Sequence, residues 1–429
     1  MNNCFSHIPE LTPTCHAFLR VLRAAANGHA PDEPPTDWAA IIELAYIHHV
    51  SGFLYLAVCT WDPPFQPNAL LMAQWRVSFL SAASTYTRVA IQARELLTAL
   101  HAEGIRVIPL KGIWLAEHVY EDGACRPMCD IDLLVPAEEL ARARTAVERI
   151  GYTTSEFYLA DGNNKHVHYH KAGAPLHLEL HWHLWHVGTE SLAEPDLKKV
   201  WMGLHEELLQ GVPVLAFSPE RQLIHLTQHI LQHRLTVPLK SYLDLILLCR
   251  RYAPQFKVPR LNEEARAWQV SFGAKFVLQV ACDIWAVDPP ATLTAFLPSG
   301  DEYSSARRTA LRATLQLTCE SRQITQALAS FCQVSWFRRC ILILSRIFYP
   351  PSELRQSCPL VVRRFGLAGG YLWRGADLIR RYSQTLRKIS GNRHAVDTSL
   401  ANFTTRQSLS KWLRSQEAHN KPSTSIPSG

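Results

Sequence analysis

Apolar residues along this chain keep two different periods, and the switches between them mark its elements. "WAAIIELAYIHHVSGFLYLAV" carries apolar positions at helical spacing, with Thr36 or Asp37 placed to cap the helix that starts near Trp38. Pro-rich breaks on either side, "HAPDEPPTDW" and "TWDPPFQPNA", punctuate a helical N-terminal region, 1–84. The pattern then alternates between periods. "YTRVAIQARELLTALHAEG" reads as a helix ending on Gly104, "IRVIPL" as a short buried strand, and "IWLAEHVY" as a short helix after "KG". "CDIDLLV" has the two-residue period of a strand. "PAEELARARTAVERIG" has Pro136 at its start, acids in its first turn and Gly151 at its end, the marks of a helix. "HVHYHK" and "LHLELHWHLW" alternate as two strands of a hairpin joined by "AGAP". The order α-β-α-β-α-β-β predicts an α/β (α+β) core with a small mixed sheet over 85–205, flanked by helical regions. Helical periodicity returns over 206–394, where Ser218 and Pro219 open "SPERQLIHLTQHILQH". The polar stretch 395–429 predicts a disordered tail.

Composition narrows the class. With 47% hydrophobic and 19% charged residues in 429, the chain is globular and long enough for two or three units. No apolar run approaches the roughly 18–20 residues a bilayer span needs. The N-terminal stretch has no basic segment leading into an apolar one, and the eleven cysteines are scattered with no CxxC pair, so reduced thiols and a cytoplasmic location are expected. The net charge of +7 is uneven: 336–393 holds twelve Lys/Arg and two acids, a local +10 that leaves −3 elsewhere. Such a segment suits nucleic acid or a phosphorylated ligand, and equally suits helices whose arginines lie along apolar surface.

The candidate chemistry centres on "RPMCDIDLLV", 126–135. Residues i and i+2 of a strand share a face, so Asp130 and Asp132 project together while Ile131 and Leu133 enter the core. Two carboxylates about 7 Å apart repel unless a cation neutralises them, and a hard divalent ion does this well. A lone DxD is equally at home on a solvated strand face. Three features favour the cation. Lys111 and Gly112 stand between a strand and a helix, where backbone amides and an ammonium suit an anion. Arg126 lies at the entrance to the same strand. Glu179, in "LHLELHWHL", is the only acid of its strand and is flanked by His177, His181 and His183.

This combination resembles the polymerase-β-like nucleotidyltransferase superfamily, and more narrowly its bacterial family of uncharacterised nucleotidyltransferases. The matching residues are Leu110-Lys111-Gly112, Tyr120, Arg126, Asp130 to Val135, Gly151-Tyr152 and Glu179-Leu180-His181-Trp182, with weaker likeness across 35–355. The resemblance implies that Asp130, Asp132 and Glu179 are catalytic and hold two Mg²⁺ ions, replaceable by Mn²⁺. It further implies that Lys111, Gly112 and Arg126 bind the triphosphate of an NTP, ATP by default, and that His181 supports a carboxylate from behind. A nucleoside monophosphate would pass to a hydroxyl of a protein, peptide, RNA or small molecule. The wider superfamily carries Gly-Ser where this chain has Lys-Gly, so the phosphate loop departs from the common form.

Twenty histidines leave other readings open. His166, His168 and His170 share one strand face, as do His177, His181 and His183, and such clusters suit a zinc metallohydrolase, although HExxH is absent. A non-catalytic nucleotide- or partner-binding module is a further alternative. His225, His229 and His233 recur at i, i+4 and i+8, which reads as a semi-buried helix stripe or as a face closing the cleft, with Arg234, Lys240 and Asp244 nearby.

Overall fold

Asp37 does cap the helix that follows it. In the computed structural model, which describes residues 11–154, 166–184, 197–235, 237–297, 303–315, 351, 354, 359–391 and 393–419, the Asp37 carboxylate accepts the Ala40 N–H at 3.0 Å and opens α2, Trp38–Ile47. Before it comes α1, Pro13–Ala26, capped by Thr12, and after it α3, Ser51–Cys59. Asn68 caps α4, Ala69–Ala102, a helix of 34 residues that runs straight through the expected division at 84/85. Small and polar residues at 81–87 blur the apolar period there. The helix persists because its later turns bury Val89, Ala93, Leu96, Leu97 and Leu100.

The core that follows keeps the expected order. β1 (Ile108–Pro109), α5 (Gly112–His118), β2 (Asp130–Leu134), α6 (Leu140–Arg149), β3 (His166–Tyr169) and β4 (His177–His181) build a mixed four-stranded sheet ordered β1-β2-β4-β3. β2 and β4 are parallel; the outer pairs are antiparallel. Ile131, Leu133, Val167, Tyr169, Leu178 and Leu180 turn to one face and are buried together with residues of α4 and α6. Alternation therefore sends every second residue of β2, β3 and β4 to the opposite face, which carries the polar groups.

A second sheet was not foreseen. β5 (His205–Leu209) and β6 (Val212–Ala216) form an antiparallel hairpin, and the Leu215 N–H donates to Val107 O at 2.9 Å, beside β1. Its two-residue turn, Gln210-Gly211, has φ of 52° and 75°, the left-handed pair that tight hairpins favour.

Helical packing resumes with α7 (Pro219–Gln232), which Ser218 caps as expected, then α8 (Leu239–Arg251), α9 (Val258–Ala267), α10 (Ser271–Trp285) and α11 (Ser304–Leu315). The chain divides into two compact units, residues 1–317 with 408–429, and residues 318–407. The expected regions 1–84, 85–205 and the start of 206–394 thus lie within one unit. In the second unit, α12 (Pro359–Gly391) breaks at Gly366, where φ is 68°. Residues 336–350 of the basic segment lie outside the described residues.

The expected tail at 395 is instead helical as far as His419: α13 spans Arg393–His419. The physical reason is a short apolar stripe, Leu409, Trp412 and Leu413, that packs against the core of the first unit. Residues 420–429 lie outside the described residues. Among the described residues, no helix is long and apolar enough to cross a membrane.

Candidate active site

Strand register assembles the site. Asp130 lies opposite His177, Asp132 opposite Glu179, and Leu134 opposite His181 on the β2–β4 ladder; His168 lies opposite Glu179 on the next. One sheet face thereby collects three carboxylates and a set of imidazoles. The acid pair and Glu179, separated in sequence, are neighbours because β2 and β4 are parallel and in this register.

The carboxylates are not equivalent. Asp132 is buried, accepts from His181 Nε2 at 2.9 Å on Oδ1, and has Lys111 Nζ 3.4 Å from Oδ2. Burial pushes its pKa up, but the Lys111 ammonium and the His181 hydrogen bond outweigh that and hold it well below the usual carboxylate range. Asp130 has no such counterweight. Burial and then the charge of Asp132 raise its pKa to about 6, against a smaller lowering by Lys111. Glu179 points Oε2 to His181 Nε2 at 3.4 Å and Oε1 to His168 Nδ1 at 3.3 Å; burial raises its pKa, and the His181 hydrogen bond together with the charges of His181 and His168 brings it below its ordinary value. His181 itself is pushed down by burial and, more strongly, up by its bonds to Asp132 and Glu179. Its Nε2 thus lies between the two carboxylates.

Lys111 and Gly112 sit at the edge of this face. Lys111 adopts φ of 42°, a conformation costing a non-glycine residue on the order of 1 kcal/mol or more, and its ammonium is aimed at Asp132. Gly112 is buried; a Cβ there would meet Met128 Sδ at 3.3 Å and Asp130 O at 3.6 Å, so the glycine lets α5 pack against the strand that bears the acids.

Arg126 is placed differently from expectation. Its Nε and Nη2 donate to Asp244 Oδ1 and Oδ2, each at 2.9 Å, and both side chains are buried. Tyr120 adds an O–H to Asp244 Oδ1 at 2.7 Å. The guanidinium that the sequence offered to a phosphate is spent on α8, where it anchors the loop entering β2. Lys240, from the same helix, donates to Pro127 O at 2.7 Å; burial lowers its pKa to about 8.

The histidine stripe of α7 does reach the site. His225 and His229 line a small cavity with Leu110, Lys111, His181, Leu184, Gln228 and Gln232, of about 20 Å³, room for roughly one water. Burial, reinforced by Lys111, drives His225 to about 3 and His229 well below its ordinary value, so both are neutral imidazoles. His233 ends the helix and is exposed. Gln228 was missed, although its place one turn from His225 and beside His229 put it on the same face.

Metal-ligand geometry recurs across the sheet face. One ligand atom each from Asp130, His177 and Glu179 lies within 4.8 Å of the others, and the same holds for Asp132, Glu179 and His181. These two groups share Glu179, and their carboxylate oxygens suit a hard divalent cation. Burial and then the charge of Asp132 raise Asp130, and a cation held between the carboxylates would favour its charged form.

A family model described as uncharacterised nucleotidyltransferase matches residues 34–285, more than half of the chain and all of the site. The chain belongs to that family. The match spans α2 through α10 and so covers the sheet, both carboxylate groups, the Arg126–Asp244 pair and the α7 stripe. Membership in the nucleotidyltransferases implies a nucleotide substrate and accords with divalent-metal use at the acidic groups. The chain has no match among curated proteins or solved structures.

Proposed function

We propose that this nucleotidyltransferase moves a nucleoside monophosphate from an NTP, ATP by default, to a hydroxyl of a protein, peptide, RNA or small-molecule acceptor, the hydroxyl oxygen bonding the α-phosphorus as pyrophosphate leaves. One observation supports the reading: the β2–β4 register sets Asp132 beside Glu179 with Asp130 on the same face, so three carboxylates share one sheet face and form two groups that could each take a divalent cation. Asp130, Asp132 and Glu179 would hold the divalent ions, two Mg²⁺ with Mn²⁺ as substitute, which when bound neutralise phosphate charge and acidify the acceptor hydroxyl.

The chain's own residues do the rest. His181 donates to Asp132 and Glu179, fixing their rotamers so that their remaining lone pairs face outward. Lys111, paired with Asp132 and set on the short turn before α5, supplies positive charge to the triphosphate. Arg126 acts from behind, positioning the loop before β2. The neutral His225 and His229 keep α7 against the site without adding charge that would compete with the cations. The free thiols of Cys15, Cys59, Cys125, Cys129, Cys249 and Cys282 fit a reducing compartment, and we place the protein in the cytoplasm.

The test is transfer of label from α-labelled NTPs to acceptors in a cell extract, with Mg²⁺ or Mn²⁺ and then with chelator. Labelling should need the divalent ion and vanish in Asp130→Asn and Asp132→Asn. Undiminished labelling in either variant would defeat the assignment.

A further inference from the structure

The polar sheet face continues past the carboxylates into a donor set of another chemical kind. His166 and His168 stand two apart on β3, and their Nε2 atoms approach to 3.0 Å. His168 turns Nδ1 to Glu179 Oε1 at 3.3 Å. One ligand atom each from His166, His168 and Glu179 lies within 4.8 Å of the others, a group distinct from the two acidic ones. The next imidazole, His177, has Nε2 3.7 Å from the same Glu179 oxygen.

Donor chemistry separates this group from its neighbours. Mg²⁺ takes oxygen ligands and dehydrates reluctantly, whereas imidazole nitrogen suits zinc and the later first-row metals. Ligand nitrogens about 2.0–2.1 Å from a tetrahedral zinc lie roughly 3.3 Å from one another, and the one-atom-each set here, within 4.8 Å throughout, needs only a modest contraction to reach that spacing. Glu179 is the hinge between the two kinds of site: Oε2 faces the Asp132 group and Oε1 faces the histidines.

We infer that His166, His168 and Glu179 form a binding site for a zinc-class transition-metal ion, adjoining the acidic cluster and joined to it through Glu179. Such an ion ties β3 to β4 and sets the Glu179 rotamer. The inference does not depend on the transferase reading, since the donors are present whatever the neighbouring acids do.

Metal-stripped full-length protein would be titrated with Co²⁺ in saturating Mg²⁺, followed by the visible absorption of nitrogen-ligated Co²⁺, then back-titrated with Zn²⁺. Wild type should take up about one Co²⁺ that Zn²⁺ displaces. His166→Ala with His168→Ala should weaken uptake by more than the roughly 10–100-fold that loss of an outer-shell partner costs. X-ray absorption of the wild-type zinc form should count two imidazoles, a readout that needs no variant. The inference is overturned by no Co²⁺ or Zn²⁺ uptake against Mg²⁺, or by the double variant binding with unchanged affinity and spectrum. Zinc binding without nucleotidyl transfer would defeat only the proposed function; transfer without zinc binding would defeat only this site.

Discussion

Arg126 and Asp244, separated by 118 positions in sequence, meet in a buried bidentate ion pair, Nε to Oδ1 and Nη2 to Oδ2, both at 2.9 Å. Tyr120 and Lys240 add hydrogen bonds on either side, so the loop feeding β2 is held to α8 at two points. Removing one partner strands the other charge in the interior. Asp244→Leu or Arg126→Leu should each lower stability by about 3–5 kcal/mol in urea unfolding, while the double replacement recovers much of the loss. Arg126→Lys should not rescue, because an ammonium cannot make both parallel bonds. A single variant within experimental error of wild type would show that the pair carries no such role.

The two aspartates should respond oppositely to amidation when metal is stripped. Asp130 has its folded pKa raised to about 6, so its contribution is fully present below the unfolded value near 3.8 and is lost as pH rises through 6. Asp130→Asn removes that loss and should stabilise the protein at pH 8, on the order of 1 kcal/mol after allowing for solvent. Asp132 has the opposite shift, and Asp132→Asn leaves Lys111 and His181 without their carboxylate, so it should destabilise by about 3 kcal/mol. Thermal melts of both variants in chelator decide the point; equal shifts of one sign would refute it.

His225 should set part of the acid limb. Its folded pKa, about 3, lies below the unfolded value near 6.5, so its contribution is complete above 6.5 and is lost as pH falls toward 3. Lys111, Asp132 and His181 face it, and the rings of Phe217 and Trp268 pack against it. His225→Leu keeps the packing and removes the proton uptake. Its stability between pH 6 and pH 4 should fall less steeply than wild type, by about 1.4 kcal/mol per pH unit. An unchanged slope would mean that the imidazole does not resist protonation.

The end of α13, from Ser408 on, should be a structural member of the first unit. Trp412 meets Phe272, Phe276 and Tyr303 at ring separations of 5.5, 5.4 and 5.4 Å. Glu417 accepts the N–H groups of Phe272 and Gly273, at 2.8 and 3.1 Å, where α10 has no side-chain cap of its own. Trp412→Ala should cost about 3 kcal/mol and Glu417→Gln about 1 kcal/mol, read from chemical unfolding. If a chain ending at 403 unfolds like the full-length protein, the helix has no such role.

What the sequence made legible were the features written in short-range pattern. Asp37 and Ser218 announce their helices because a cap needs only the next three residues, and "CDIDLLV" assigns Asp130 and Asp132 to one face by alternation alone. Glu179 was legible as the lone acid of its strand. The ion pair of Arg126 was not, because nothing local marks a partner that arrives from α8. The β5–β6 hairpin escaped because β5 is exposed along most of its length and so lacks an apolar face to alternate. The last helix escaped because Leu409, Trp412 and Leu413 give its apolar stripe only one turn amid polar residues.

Parallel pairing of β2 with β4 has a consequence for how the protein comes to be active. Antiparallel neighbours can close through a tight turn, but parallel ones need a long crossover, and such contacts form slowly. The β1–β2 pair can dock early and brings only Asp130 and Asp132. Glu179 joins them when the crossover through α6 has closed and β4 has slid into register. A chain in which β2 and β4 have not paired therefore presents an incomplete ligand set, Asp130 and Asp132 without Glu179.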